Sequence, residues 1–348
     1  MLRLIVHARN ARTAQNIIRA PRHIASMFTV HTYQRIFARR SVPAGTLIFT
    51  DFDHLQSYEL DAAAAVANAV AAARPDLPIL NHPAEAIERF ELLDRLYQRG
   101  LNPVEVTRQP GQRAPQHYPL FLRSEDGCAG PETDLIHSPV ELASALNGFA
   151  ARRQPMKRKM SARFTSDRDA QGFYRKYGAF VVGDRIVPIH LMRSEDWSVK
   201  DNKRDDDEAF IAEERTYCAE NPHEDWLREI AQVGGITYGR IDYGLFEGKP
   251  VVFEANLNPT FPDVDPDRLQ GGRERRKVTM VPQMAEALAA VSPGPKASRG
   301  VVRFDLRSVS GEKFVEREAW YEDLAYNLVQ MRNWQRVLRR MRRRLLRF

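Results

Sequence analysis

The stretch GGITYGRIDYGLFEGKPVVFEANLNPTFP, from Gly234 to Pro262, constrains the chain more than any other. Its period predicts two strands and a turn. ITYGRIDYGLF alternates around β-branched and aromatic residues, Glu247-Gly248-Lys249 reverses the chain, and PVVFEANL returns. Pro250 fits only at the start of the second strand, where no ladder donor is needed. Glu254 and Asn256 are two residues apart, so the pleat sets them on one face, and the hairpin can bring Asp242 to that face. Two carboxylates and an amide oxygen then sit inside an otherwise apolar sheet. A buried carboxylate is costly unless it is paired or metal-bound. Hard oxygen donors of this kind suit magnesium, which shares its shell with waters and phosphates. The alternative, a hairpin with both acids solvated at its edge, is the weaker one, because both acids interrupt apolar runs.

The charge balance narrows the class of partner. The chain has 348 residues and a net charge of +7, but the last seventeen, Arg332 to Phe348, hold eight Arg and no acid. The rest is close to neutral, so the basic character belongs to the tail, and no sequence-specific nucleic-acid partner is expected. In that tail Trp334, Leu338, Met341, Leu345 and Phe348 form one apolar stripe amid Arg, which suits an anionic membrane surface or an acidic partner. The alternative is a stripe docked on the body with a solvated Arg face. No apolar run reaches the ~20 residues that span a bilayer. The start, MLRLIVHARNAR, is too short in its apolar part for a signal peptide, and two cysteines, Cys128 and Cys218, make no disulfide framework. A cytoplasmic protein is expected, with the tail suited to the inner membrane surface.

From the N-terminus, residues 1–80 read as a short α/β unit with strands at LRLIV, GTLIFTDF and PILN. Between the last two, Asp61 is expected to cap an Ala-rich helix over 62–73. Residues 81–100 read as a helix closed by Gly100. PLFLR is a buried strand, and SEDGCAGPE a loop whose glycines let the backbone approach an anion. Ser138-Pro139-Val140-Glu141 is a capping box with Pro at N1. The basic run Arg152 to Lys159 is a solvated loop or, as a second reading, a phosphate contact. FYRKYGAFVVGDRIVPIHLMR, residues 173–193, is a hairpin turning at Gly183-Asp184. Glu224 to Val233 is a helix, Asp263 to Lys277 a charged loop, Val281 to Val291 a short helix, and the chain from Phe314 onward helical.

Asp242, eleven intervening residues, then Glu254-x-Asn256-x-x-Pro259 resembles the metal-binding end of the ATP-grasp superfamily, most closely its ribosomal-protein glutamate ligase branch. Pro119, Arg123, Gly127 and Gly130 match that branch's Pro-x-x-x-Lys loop with its two glycines, with Arg for Lys. Arg89 stands at the spacing of a second ATP-contacting Lys, and Arg163-Phe164 fall in the interlobe linker that reads adenine, with Arg163 where relatives have Glu. In the segment at 173–193, Lys176 and Gly178 replace an Asp and an Arg. Arg175, Lys176, His190 or Arg193 are candidates to supply the missing cation.

The resemblance implies an α+β, α/β chain with an ATP-grasp fold. A short Rossmann-like unit (1–80) and a linking helix (81–110) precede a small lobe (111–165) and a large lobe (166–310), and a basic helical tail (311–348) follows. It implies ATP and two magnesium ions, with manganese as a substitute, held by Asp242, Glu254 and Asn256. ATP is contacted by Arg89, Arg123, Gly127, Gly130, Arg163 and Phe164. The catalytic candidates are Arg240, Arg175 and Lys176. The implied reaction joins a carboxylate to an amine, on small molecules or peptides, through an acylphosphate. A kinase acting on a hydroxyl and a nucleotide-binding protein without turnover stay open beside it.

Overall fold

The computed structural model describes residues 1–10, 20–85, 87–126, 130–199, 207–259, 273–307, 309, 315 and 317–324. The Arg-rich tail, Gly127, Cys128 and most of the loop at 263–277 therefore lie outside the described residues. The chain is a mixed α/β protein of two compact units, residues 1–84 with 291–348, and residues 85–290.

The first unit is built on four parallel strands, β1 (Leu2–Val6), β2 (Phe28–Thr32), β4 (Thr46–Phe49) and β5 (Ile79–Leu80), in the order β2-β1-β4-β5. A short β3 (Ser41–Pro43) pairs antiparallel with Val301–Arg303. The chain runs outward from β1 to β2, then crosses to β4 on the other side, so the order reverses between β1 and β4. Helix α1 (Tyr33–Arg39) and helix α2 (Ser57–Ala73) cover the sheet through Tyr33, Phe37, Val66 and Val70, all buried. The alanines of α2 let it pack closely, since they bring no side-chain bulk to the contact. Helix α2 begins five residues earlier than Asp61 predicts. Gln56 caps it instead: its side chain accepts from the backbone of Glu59, whose carboxylate returns to the Gln56 N–H.

The second unit holds two antiparallel sheets. The smaller is β6 (Val106–Arg108), β8 (Lys159–Arg163) and β7 (Leu120–Ser124), in that order. Helix α4 (Pro139–Ala151) packs on it through Leu142 and Phe149 and starts at Ser138, whose hydroxyl accepts from the Glu141 N–H. The larger sheet runs β10-β9-β11-β12, from β9 (Tyr174–Val182), β10 (Arg185–Ser194), β11 (Tyr238–Phe246) and β12 (Lys249–Asn256). Both hairpins turn where the sequence says. Glu247 and Gly248 take φ of 53° and 72°, the left-handed pair that a two-residue turn demands. One face of this sheet is apolar and packs on α3 (Arg89–Gln98), α5 (Glu208–Glu220) and α6 (Glu224–Val233) through Ile241, Tyr243, Leu96, Tyr217 and Ile230.

Two expectations are corrected here. The helix predicted over 81–100 is a short 3-10 turn at Pro83–Glu85 and then α3, which starts at Arg89. The short helix predicted from Val281 is the second half of α7 (Arg273–Ala290), with Pro282 inside it. Gly100, with φ 68°, does close α3.

Strand β12 is an edge strand, and its outer side is buried. Asn102 replaces the missing neighbour: its Nδ2 donates to the Val252 carbonyl at 3.0 Å, and its Oδ1 accepts the Val252 N–H at 3.1 Å. Asn102 is itself 1% exposed. Asn102→Ala should therefore orphan a donor and an acceptor, at about 1–3 kcal/mol for each. Urea unfolding measures this, and a loss below ~1 kcal/mol would mean that water replaces the amide.

Candidate active site

The polar face of the large sheet carries the candidate site. In the β11–β12 register Asp242 stands opposite Glu254 and Arg240 opposite Asn256. A bulge follows at once in the partner strand: Tyr243 pairs with Val252, so Phe253 is the extra residue and the alternation of β12 is reset there, while Tyr243 lies on the apolar face by ordinary alternation. Asp242 is 1% exposed. It is bound by Arg240 in a fork, Nε to Oδ1 at 2.6 Å and Nη2 to Oδ2 at 3.0 Å, and by Lys176 Nζ at 3.4 Å. Glu254 Oε2 accepts from Arg123 Nη2 at 3.0 Å and pairs with Arg89 Nη2 at 3.2 Å. Four cations thus surround two carboxylates. Burial draws the Arg123 pKa down from its ordinary value, Arg89 adds to that, and Glu254 opposes both.

These residues close one side of a cavity of about 430 Å³ between the two sheets of the second unit. Apolar and aromatic residues line it as well, Val104, Phe121, Phe164 and Trp197 among them. Phe121 and Phe164 each lie against the Trp197 ring, at 5.3 and 5.6 Å between centroids. The size suits a small-molecule ligand, and a lining of aromatic and cationic residues suits one with a ring and an anionic group.

The structure brings most of the sequence candidates together. Arg123, Gly130, Arg163, Phe164, Arg175, Lys176, Arg240, Asp242, Glu254 and Asn256 line the cavity, and Arg89 reaches it through Glu254. Gly130 has φ 79°, a left-handed value that glycine adopts without strain. Some side chains are committed elsewhere. Arg163 lies over the Phe246 ring, 5.6 Å from its centroid. Arg175 is gripped by Glu213, at 2.8 and 2.9 Å, and by Asp169, which raises its pKa. Arg193 pairs with Asp207 and lies over Phe173 and Phe210. The basic run at 152–159 is tied to acids, Arg158 to Asp126 and Glu88, Lys159 to Glu132.

Gly178 has a local reason. It pairs with Asp242 on one side and His190 on the other, and a Cβ there would run into the His190 ring. The imidazole occupies the space that a larger side chain on β9 would need. Sequence reasoning missed Phe121, Trp197 and Thr165, which also line the cavity. The Thr165 hydroxyl is buried with no hydrogen-bond partner among the described residues. Nothing in a single Trp or Thr marks it as a lining residue; only the fold collects them.

The donor set fits a divalent cation: two hard carboxylates face each other, with the Asn256 amide on the same side of the sheet. The Asn256 oxygen now accepts the Asn258 N–H at 3.0 Å. No protein-family model matches the chain, and no curated protein matches it in sequence. Solved structures do resemble it distantly. D-alanine–D-alanine ligase from Bacillus anthracis complexed with ATP is 10% identical, with a TM-score of 0.44 over 84% of this chain and 98% of that one. A RimK domain ATP-grasp protein from Sphaerobacter thermophilus is 14% identical, with a TM-score of 0.46 over 84% of this chain and 100% of that one. L-amino acid ligase from Bacillus licheniformis is 12% identical, with a TM-score of 0.46 over 87% and 78%.

Glu254 neutralises two nearly buried guanidiniums, since the Arg89 and Arg123 side chains are 10% and 8% exposed. Glu254→Ala should destabilise the ligand-free protein by about 3 kcal/mol, the cost of stranding a buried charge. Thermal unfolding reads this, and Glu254→Ala with Arg123→Met should recover part of the loss.

Proposed function

We infer that the chain is an ATP-dependent carboxylate–amine ligase of the ATP-grasp type. On this reading the lobes at 111–165 and 166–310 clasp ATP in the cavity of the second unit. The observation that carries it is the register pairing of Asp242 with Glu254 amid four cations, in a cavity that aromatic residues also line. Few ligands ask for that combination; a purine nucleotide with its phosphates is one.

The roles follow from charge and position. Phe121, Phe164 and Trp197 hold the base against apolar surface and exclude water. Arg89 and Arg123 are set to take phosphate oxygens, with a planar fork that can bind two at once. Asp242, Glu254 and Asn256 are the residues that would hold magnesium, which when bound draws charge off the terminal phosphate. Arg240 and Lys176, on the same face as Asp242, are placed to stabilise the transferring group and then the oxyanion of amide formation. Phosphoryl transfer needs positioning and charge neutralisation more than covalent chemistry, so no protein nucleophile is required. The substrate carboxylate attacks the γ-phosphate to give an acylphosphate and ADP. An amine then displaces phosphate, the new C–N bond replacing the C–O bond.

Asp242→Ala and Glu254→Ala should each abolish magnesium-dependent ATP binding, read by calorimetry. Unchanged affinity in both would remove this site from consideration. Turnover with magnesium-ATP over pooled amino acids, small peptides and sugars, followed by mass spectrometry, tests the reaction. A ligase releases inorganic phosphate and yields a condensed product, whereas a phosphorylated acceptor would replace this reading with a kinase.

A further inference from the structure

A second constellation lies in the first unit and plays no part in the reaction above. His7 follows β1 directly and Asp51 follows β4 after a single residue, so both stand at the carboxyl ends of neighbouring parallel strands. This is the place where the strand order reverses, and where open α/β sheets present ligand sites. Glu59, in the first turn of α2, and Glu322, in the helical segment 317–324, converge there with His7. One ligand atom from each of these three lies within 4.8 Å of the other two.

We propose that His7, Glu59 and Glu322 bind a divalent transition ion of the zinc class, with a coordination position left open. Imidazole with two carboxylates is a donor set for zinc and its neighbours; magnesium avoids imidazole. In a tetrahedral site, donors ~2.0–2.2 Å from zinc stand about 3.3–3.6 Å apart, so ligand atoms that lie within 4.8 Å of one another must draw in by at most about 1.5 Å on binding.

Two observations point the side chains at an ion. His7 is 3% exposed, yet its Nε2 has Glu322 Oε2 at 3.6 Å, too far for a hydrogen bond. Glu59 is 8% exposed, and its described hydrogen bonds come from uncharged donors, Gln34 Nε2 at 3.2 Å and the Gln56 N–H at 2.9 Å. Those two bonds orient the carboxylate as outer-shell partners orient metal ligands.

The surrounding charges are otherwise occupied. Asp51, held at φ 64°, takes the His7 N–H, Asn10 Nδ2 and His54 Nδ1. Arg9 pairs with Glu322 at 3.1 Å, but its side chain is 78% exposed, so an ion displaces it cheaply. His7 Nδ1 accepts the Arg9 N–H at 3.2 Å. Ligation through Nε2 places the ring proton on Nδ1, so that contact is given up on binding.

The test uses the full chain, stripped with a chelator and dialysed against Zn2+, with metal counted by atomic spectroscopy. One zinc ion per chain is expected, retained in the presence of excess Mg2+. Glu322→Gln and His7→Asn should each weaken binding at least ~10-fold. The Asn keeps an acceptor near the Nδ1 position, and metal-free melting of both variants controls for folding. Asp242→Asn should leave zinc binding unchanged, which separates this site from the one in the second unit. Cobalt in place of zinc should give a visible spectrum that His7→Asn alters. No zinc retained, or equal retention in both variants, overturns the proposal.

Discussion

The pairing of Asp242 with Glu254 across one hairpin governs the second unit. An ionised carboxylate taken out of water is costly by itself, and two side by side repel as well. The chain answers from four places: Arg89 from a helix, Arg123 from the small sheet, Lys176 from β9, and Arg240 from β11 beside Asp242. Each cation is tied to one of the two acids, so the acids hold together parts of the unit that are far apart in sequence. Removing either acid therefore disturbs more than a ligand site. The bulge beside Asp242 belongs to the same constraint, because the extra residue, Phe253 on β12, lets Glu254 face Asp242 while Val252 lies in the core.

The hairpin was legible because strand period and turn chemistry are local. Alternation placed Glu254 and Asn256 on one face, and Glu247-Gly248 marked the turn. Ser138 and Gly100 were legible for the same reason, since a cap is written within a few residues. The start of α2 was missed because Gln56 is not a usual cap and Asp61 is. The start of α3 was misplaced because residues 81–100 carry good helix formers throughout. There Asn81, buried and at φ 53°, donates to the Phe49 carbonyl and takes no part in a helix. Strand β2 and helix α1 carried no period clear enough to read.

The site was legible only as a set of residue types. That Arg89 and Arg123 meet on one oxygen of Glu254 is a tertiary fact, with more than a hundred residues between the partners. Arg175 shows the converse. It lines the cavity beside Lys176, but its guanidinium is held by Glu213 and Asp169 and not by the two central acids. The first unit gave no motif at all. His7, Glu59 and Glu322 are scattered along the chain and come together only because β1 and β4 are neighbours and the helical segment 317–324 returns to the same unit.

Arginine stands at positions 89 and 123 where lysine would be the familiar residue, and glycine at 178 where a cation would be. Taken one at a time, these departures suggest a site that has lost its chemistry. The electrostatics argue otherwise, because the field in a partly buried cavity depends on total charge and distance and not on which strand supplies the cation. His190 fills the space over Gly178, so a long side chain there is excluded by packing. Arg240 and Lys176 stand on the same face and restore the charge at Asp242. The guanidinium forks of Arg89 and Arg123 keep the charge of lysine and add a second donor for phosphate oxygens. The costly part is a carboxylate with 1% exposure facing a second one across the hairpin, and four cations offset that cost.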